Sequence, residues 1–219
     1  FVNLYYSIEG AGGPWTSIIS NWSAVPSNYL WPVADRIGSA LRVKAEDAGN
    51  PNVFNYSNYN FSIIGKIRID KPDVAEPPWV VNEIKQIKWT PTGNFSYVRI
   101  EGSQNGFANE STTWTLDTVE AGISGVQQIY NYTVQDKLSN NVKIRVSDDQ
   151  PLRYALVNDT STDPFTIKGK LTVTNPNSGN ETWVAGTKPT LSPIVWTRDG
   201  SIGNISIRLY DGTAWHQVA

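Results

Sequence analysis

Gly65-Lys-Ile-Arg-Ile-Asp-Lys-Pro72, followed by Trp79-Val-Val81 and Ile87-Lys-Trp-Thr90, returns as Gly169-Lys-Leu-Thr-Val-Thr-Asn-Pro176, Trp183-Val-Ala185 and Ile194-Val-Trp-Thr197. A second echo links Tyr29-Leu-Trp-Pro-Val-Ala-Asp35 and Leu41-Arg-Val-Lys-Ala45 to Tyr130-Asn-Tyr-Thr-Val-Gln-Asp136 and Val142-Lys-Ile-Arg-Val146. Both echoes have a period of about a hundred residues, the size of one small domain. In that phase residues 1–65 are the C-terminal part of one repeat, 66–168 a complete repeat and 169–219 the N-terminal part of a further one. The sequence therefore reads as an excerpt from a longer tandem array.

Within the repeats the dominant signal is alternation of period two. Ile84, Ile87 and Trp89 show it, then Phe95 and Tyr97 with Val98 beside them, then Tyr130, Tyr132 and Val134, then Val142, Ile144 and Val146, with polar residues and Gly, Pro or Asn turns between. Lys143 and Arg145 occupy the opposite face of the last strand, as Arg42 and Lys44 do beside Leu41 and Val43. One face dry and one wet is the pattern of an antiparallel sandwich, so the predicted fold is all-β. Phe61, Ile63, Ile67 and Ile69 keep their alternation across Gly65, and Phe165, Ile167, Leu171 and Val173 keep theirs across Gly169. The last strand of one repeat runs almost directly into the first strand of the next, with only a glycine at which the chain can bend or swap partners. Such short connections predict a semi-rigid rod.

Pro72, Trp79, Ile87 and Trp89, repeated as Pro176, Trp183, Ile194 and Trp196, resemble the Pro…Trp…Gly…Ile-x-Trp opening of immunoglobulin-like repeats in large archaeal and bacterial surface proteins, similar to the Kre9/KNH-like domain. The resemblance covers one full repeat and two partial ones. It implies β-sandwiches in a cell-surface, adhesive or S-layer context. One departure is local: the glycine after the tryptophan is Gly186 in the third repeat but Asn82 in the second, and asparagine tolerates the same left-handed turn.

Composition excludes several classes. Charged residues are 17% and the net charge is -2, which gives no basic footprint for nucleic acid. No apolar run approaches the roughly 20 residues of a membrane helix, so no membrane contact is expected in this stretch. Cysteine is absent, which removes disulfides and thiolate chemistry. The single histidine, His216, has no Cys or clustered acidic neighbours, which argues against a histidine metal site or a catalytic triad. Glu101, Glu110 and Asp117 have no pattern of paired catalytic acids, and no enzymatic role is expected.

The Asn-x-Ser/Thr acceptor pattern occurs nine times, at Asn21, Asn55, Asn60, Asn94, Asn109, Asn131, Asn158, Asn180 and Asn204. With 20 Asn and 37 Ser plus Thr in 219 residues, composition alone gives about three. The excess predicts N-linked glycans on an extracellular protein, although Asn, Ser and Thr also cluster as turn formers. Asp148, Asp149, Asp159 and Asp163 follow the last core strands and form a candidate structural calcium site, against the plainer reading of solvated turn carboxylates. Trp79 with Trp183 and Trp89 with Trp196 repeat and read as core, whereas Trp22 has no repeated counterpart and is the candidate ligand-stacking residue. The expectation is a structural repeat segment of an S-layer, sheath, stalk or fibre, archaeal in character. Its partners would be its glycans and, by self-association or otherwise, cell-surface proteins. The alternative is a carbohydrate-binding or adhesin module, including one accessory to a polysaccharide-active enzyme.

Overall fold

The computed structural model describes residues 1–150 and 156–218. Every regular element among them is a β-strand except two single-turn 3₁₀ helices, Gly10–Gly12 and Glu110–Thr112. The all-β, antiparallel architecture expected from the alternation is the one observed, with one parallel pairing described below.

The first segment forms β1 (Val2–Ser7), β2 (Thr16–Trp22), β3 (Gly38–Asp47), β4 (Asn50–Tyr56) and β5 (Phe61–Ile63). Its single sheet runs β2-β1-β3-β4, with β5 also on β3. The central segment contains β6 (Lys66–Lys71), β7 (Trp79–Val80), β8 (Ile84–Thr92), β9 (Tyr97–Ser103), β10 (Thr113–Glu120), β11 (Gln128–Thr133), β12 (Ser139–Asp148), β13 (Asn158–Thr160) and β14 (Phe165–Lys168). These make two sheets, β10-β9-β12-β14-β7 with β13 on β12, and β11-β8-β6. The parallel pair is β14 with β7, which sets Ile167 opposite Trp79. The third segment has two hairpin-like pairs, β15 (Lys170–Asn175) with β16 (Val195–Asp199), and β17 (Arg208–Tyr210) with β18 (Trp215–Gln217).

The central core closes between its two sheets. Ile67, Ile87 and Trp89 from one meet Val98, Ile100, Val142, Ile144 and Val146 from the other, all nearly or wholly buried. Trp79 is enclosed by Phe165 at 4.4 Å and Tyr132 at 6.1 Å between ring centres. Trp89 donates its indole N–H to the carbonyl of Ala121 at 3.2 Å, so its one polar atom is satisfied inside the core. The first segment has a smaller cluster around Tyr6, Leu41 and Ile63.

Three readings from the alternation change. Ile84 is 70% exposed, so the inward set of β8 begins at Ile87. Tyr97 does not face inward; it is half exposed, and the inward set of β9 is Val98 and Ile100. Phe95 is buried from the turn ahead of β9, where Gly93 adopts φ +97°, so the period of two does not run through it. Trp183 and Trp196 are each 39% exposed, whereas Trp79 and Trp89 are at 0% and 2%. The side chains that enclose the latter come from β11, β14 and the stretch after β10.

This contrast gives a direct test. Trp89→Ala should cost about 3–5 kcal/mol, the range for emptying a buried aromatic site, and lower the denaturant midpoint of the central segment. Trp196→Ala, the repeat-equivalent change on a half-open surface, should leave that midpoint nearly unmoved.

Candidate functional site: the junctions between segments

Only Ile64 and Gly65 separate β5 from β6, and only Gly169 separates β14 from β15. Neither glycine has positive φ, so the chain does not need them for a left-handed bend. They are needed for space. A Cβ on Gly65 would lie 2.7 Å from the carbonyl oxygen of Thr92, and one on Gly169 would lie 2.6 Å from that of Asp199. The expected exchange of partners at these glycines is observed, since β5 pairs with β3 but β6 with β8, and β14 with β12 and β7 but β15 with β16; close approach is a further reason for glycine there.

Thr92 and Asp199 each lead into a second glycine of φ near +90°, Gly93 at +97° and Gly200 at +88°. A Cβ on Gly93 would meet the Gly65 Cα at 3.3 Å, and one on Gly200 the Gly169 Cα at 3.4 Å. The preceding segment then closes over this pair of glycines with one carboxylate. Asp35 Oδ1 accepts the backbone N–H of Asn94 at 2.9 Å. Asp136 Oδ2 accepts the side-chain hydroxyl of Ser201. Asp35 and Asp136 close the first stretch in each half of the second sequence echo, and Asn94 and Ser201 each follow the turn glycine, so both junctions set an aspartate of the segment before against the residue after that glycine.

Further contacts are specific to each junction. Asn82 adopts φ +70°, as Gly186 adopts +79°, and its side-chain amide donates to Asp199 Oδ1 at 3.0 Å. Ile37 reaches Gly93 where Val81 reaches Gly200. The hydrogen bond from the Ser201 hydroxyl holds the Asp136 carboxyl below the ordinary value for aspartate.

All nine sequon asparagines are exposed. Asn21, Asn55, Asn131 and Asn158 lie in β2, β4, β11 and β13, strands at the borders of their sheets, and Asn109 caps the 3₁₀ turn that leads into the border strand β10. Asn60, Asn94, Asn180 and Asn204 lie in connections. None falls in β1, β3, β8, β9 or β12, which have neighbours on both sides. In Asn55, Asn60, Asn109 and Asn131 the amide oxygen accepts a hydrogen bond.

The four candidate calcium ligands do not converge. Asp148 is buried and accepts the Gln150 N–H; Asp149 pairs with Arg99 at 3.0 Å; Asp159 accepts the Ile69 N–H of β6 at 2.8 Å; Asp163 is exposed. Among the described residues there is no group of three or more His, Cys, Asp or Glu placed to hold a metal. Glu101 and Glu110 both pair with Arg145, at 3.0 and 3.3 Å. His216 pairs with Asp211 across the exposed β17–β18 turn at 2.6 Å. Trp22 is 36% exposed, donates its indole N–H to the Asn28 carbonyl at 3.0 Å and meets Tyr29 edge-on at 5.0 Å.

Two features escaped the sequence reading. The junction carboxylates were visible only as identical residues in the second echo, with nothing to show that they reach forward into the next segment. An exposed aromatic group around Lys44, described below, was hidden because its members come from three separate stretches. No protein-family model matches the chain, and no curated protein sequence matches it.

The junction predicts a pH response. The folded pKa of Asp136 is depressed, so its contribution is complete above the ordinary value of about 4 and is lost as pH falls through the lowered value. NMR should show the Ser201 resonances shifting over that acidic window as its hydroxyl loses the carboxylate partner. Asp136→Ala should give the same change at neutral pH and increase the independent tumbling of the third segment. Unchanged Ser201 resonances in the variant would sink the proposed role of the carboxylate.

Proposed function

We propose that this chain is a structural spacer from an exported, N-glycosylated cell-surface or extracellular filament protein, of the S-layer, sheath, stalk or fibre kind. The single observation that carries this reading is the duplicated junction. Two successive segments are joined without a linker, through a glycine-on-glycine contact clamped by one carboxylate from the segment before. A connection of this kind limits relative rotation and transmits orientation along an array, which suits projection or spacing.

The exposed sequons support the extracellular part. They sit on border strands and connections, where a bulky solvated sugar interferes with no ladder and hinders pairing with foreign strands. No helix among the described residues is long and apolar enough to cross a membrane. Glu101 and Glu110 are held in ion pairs with Arg145, which suits a structural role for these carboxylates. The resemblance to immunoglobulin-like surface repeats adds a cell-surface, archaeal setting, with self-association or contact with other surface proteins as the partner chemistry.

Glycopeptide mass spectrometry of the native protein should find sugar on several of the nine sequons, with Asn94 and Asn204 among them. Small-angle scattering should return an elongated particle with a narrow range of end-to-end lengths. Nine unmodified sequons would remove the exported-glycoprotein reading, and a broad, flexible distribution would remove the spacer reading.

A further inference from the structure

The outward face of the first segment's sheet carries aromatic side chains that its core does not use. Tyr5 on β1, Phe54 on β4 and Trp15 just ahead of β2 surround the Lys44 ammonium, with ring centres 4.7, 5.3 and 5.8 Å away. Tyr56 joins them: its ring centre lies 6.1 Å from that of Trp15 and 6.3 Å from that of Phe54, with the planes 26° and 29° from parallel. Phe54 is 53% exposed and Tyr56 38%, so apolar burial does not account for the row.

The fold does not require it either. Lys44 stands opposite Tyr56 and Glu46 opposite Phe54 between β3 and β4. At the corresponding places in the central segment Arg145 stands opposite Thr160 and Ser147 opposite Asn158. The same sheet position is thus served by polar residues where no aromatic row exists.

The face is also nearly neutral in effect. Lys44 is paired with Glu46 at 2.7 Å, and Arg42 donates to Asn60 Oδ1 and to the Ser57 carbonyl, each at 2.8 Å. What remains on offer is a set of π faces bordered by satisfied polar groups. That chemistry suits a pyranose ring, whose C–H bonds can lie on an aromatic face while its hydroxyls stay in water.

Asn60 supplies the sugar. It is the exposed asparagine of Asn60-Phe-Ser62, and its amide oxygen is fixed by the Arg42 Nε–H. The Arg42 guanidinium carbon in turn lies 6.0 Å from the Tyr56 ring centre. The engaged atom is the oxygen and not Nδ2, the atom that bears an N-linked sugar, and Arg42 links Asn60 to the Tyr56 end of the aromatic row.

We infer that the Tyr56, Phe54 and Trp15 row is the landing surface of an N-linked glycan on Asn60, whose first pyranose rings stack on Tyr56 and its neighbours. This rests on the reading of Asn60 as an occupied sequon. The link forms when the Asn60 amide nitrogen displaces diphosphate from an activated glycosyl donor, giving the N–C1 bond, free diphosphate and a proton. Folded down in this way, the glycan covers the one aromatic patch on the outward face and shields the border strand β4.

The test uses the full chain from a host that glycosylates Asn-x-Ser/Thr, with tyrosine and phenylalanine ring protons observable by NMR. Glycopeptide mass spectrometry on the same sample reports the occupancy of Asn60. The expected result is an upfield ring-current shift of protons on the first Asn60 sugars and cross-peaks from them to the Tyr56 ring. Tyr56→Ala should abolish both, while sugars on Asn131 keep solution-like shifts. Should Tyr56→Ala disturb the sheet, Phe54→Ala, whose ring is more exposed, should still reduce the shift. An unoccupied Asn60 overturns the sequon reading there. An occupied Asn60 with solution-like sugar shifts overturns the stacking alone. Upfield shifts seen instead on added hydroxyethyl cellulose would assign the row to an external polysaccharide and likewise overturn it.

Discussion

The carbonyl of Thr92 occupies the place where a side chain on Gly65 would have to be, and the carbonyl of Asp199 does the same to Gly169. This steric condition ties the first strand of a segment to the turn at the far end of its partner strand. It also brings that turn, with its own left-handed glycine, against the segment before. Once those backbones touch, the residue after the turn glycine meets an aspartate of the preceding segment, through the backbone N–H of Asn94 in one case and the side-chain hydroxyl of Ser201 in the other.

The rest of the molecule is organised around strands that have two neighbours and strands that have one. Two-sided strands such as β8, β9 and β12 carry the buried Ile, Val and Trp side chains of the central core. One-sided strands carry sequon asparagines, and in the first segment an aromatic row. Their free backbone groups are where foreign strands would add, and bulky or charged decoration there opposes it. Placement of the acceptor sites therefore follows the same logic as placement of the core, read from the opposite side.

Charge contributes locally. Arg145 binds Glu101 and Glu110 and lies 4.3 Å from the ring centre of Phe107, tying the loop after β9 back onto the sheet. Asp149 binds Arg99, and Asp159 secures the edge of β6 across the sandwich through the Ile69 N–H. Asp148, Asp149 and Asp159, close together in the sequence, hold different partners, because successive residues of a strand point to opposite faces of the sheet.

The all-β fold was legible in the sequence because an amphipathic strand writes its burial as a period of two, and Val142, Ile144 and Val146 do so without interruption. The left-handed turn at Asn82 was legible for an equally local reason, since few side chains tolerate that conformation. Pairing is not local, and there the sequence was silent. Tyr130, Tyr132 and Val134 resemble Tyr29, Trp31 and Val33, yet residues 128–133 form a strand and residues 28–34 form none. The difference is pairing: β11 lies beside β8 in the central segment, whereas residues 28–34 pair with no strand among the described residues. Trp89 and Trp196 differ in the same way, one closed over by a second sheet and the other open. A sequence specifies which face each strand would bury; only the tertiary structure decides whether a partner is there to bury it.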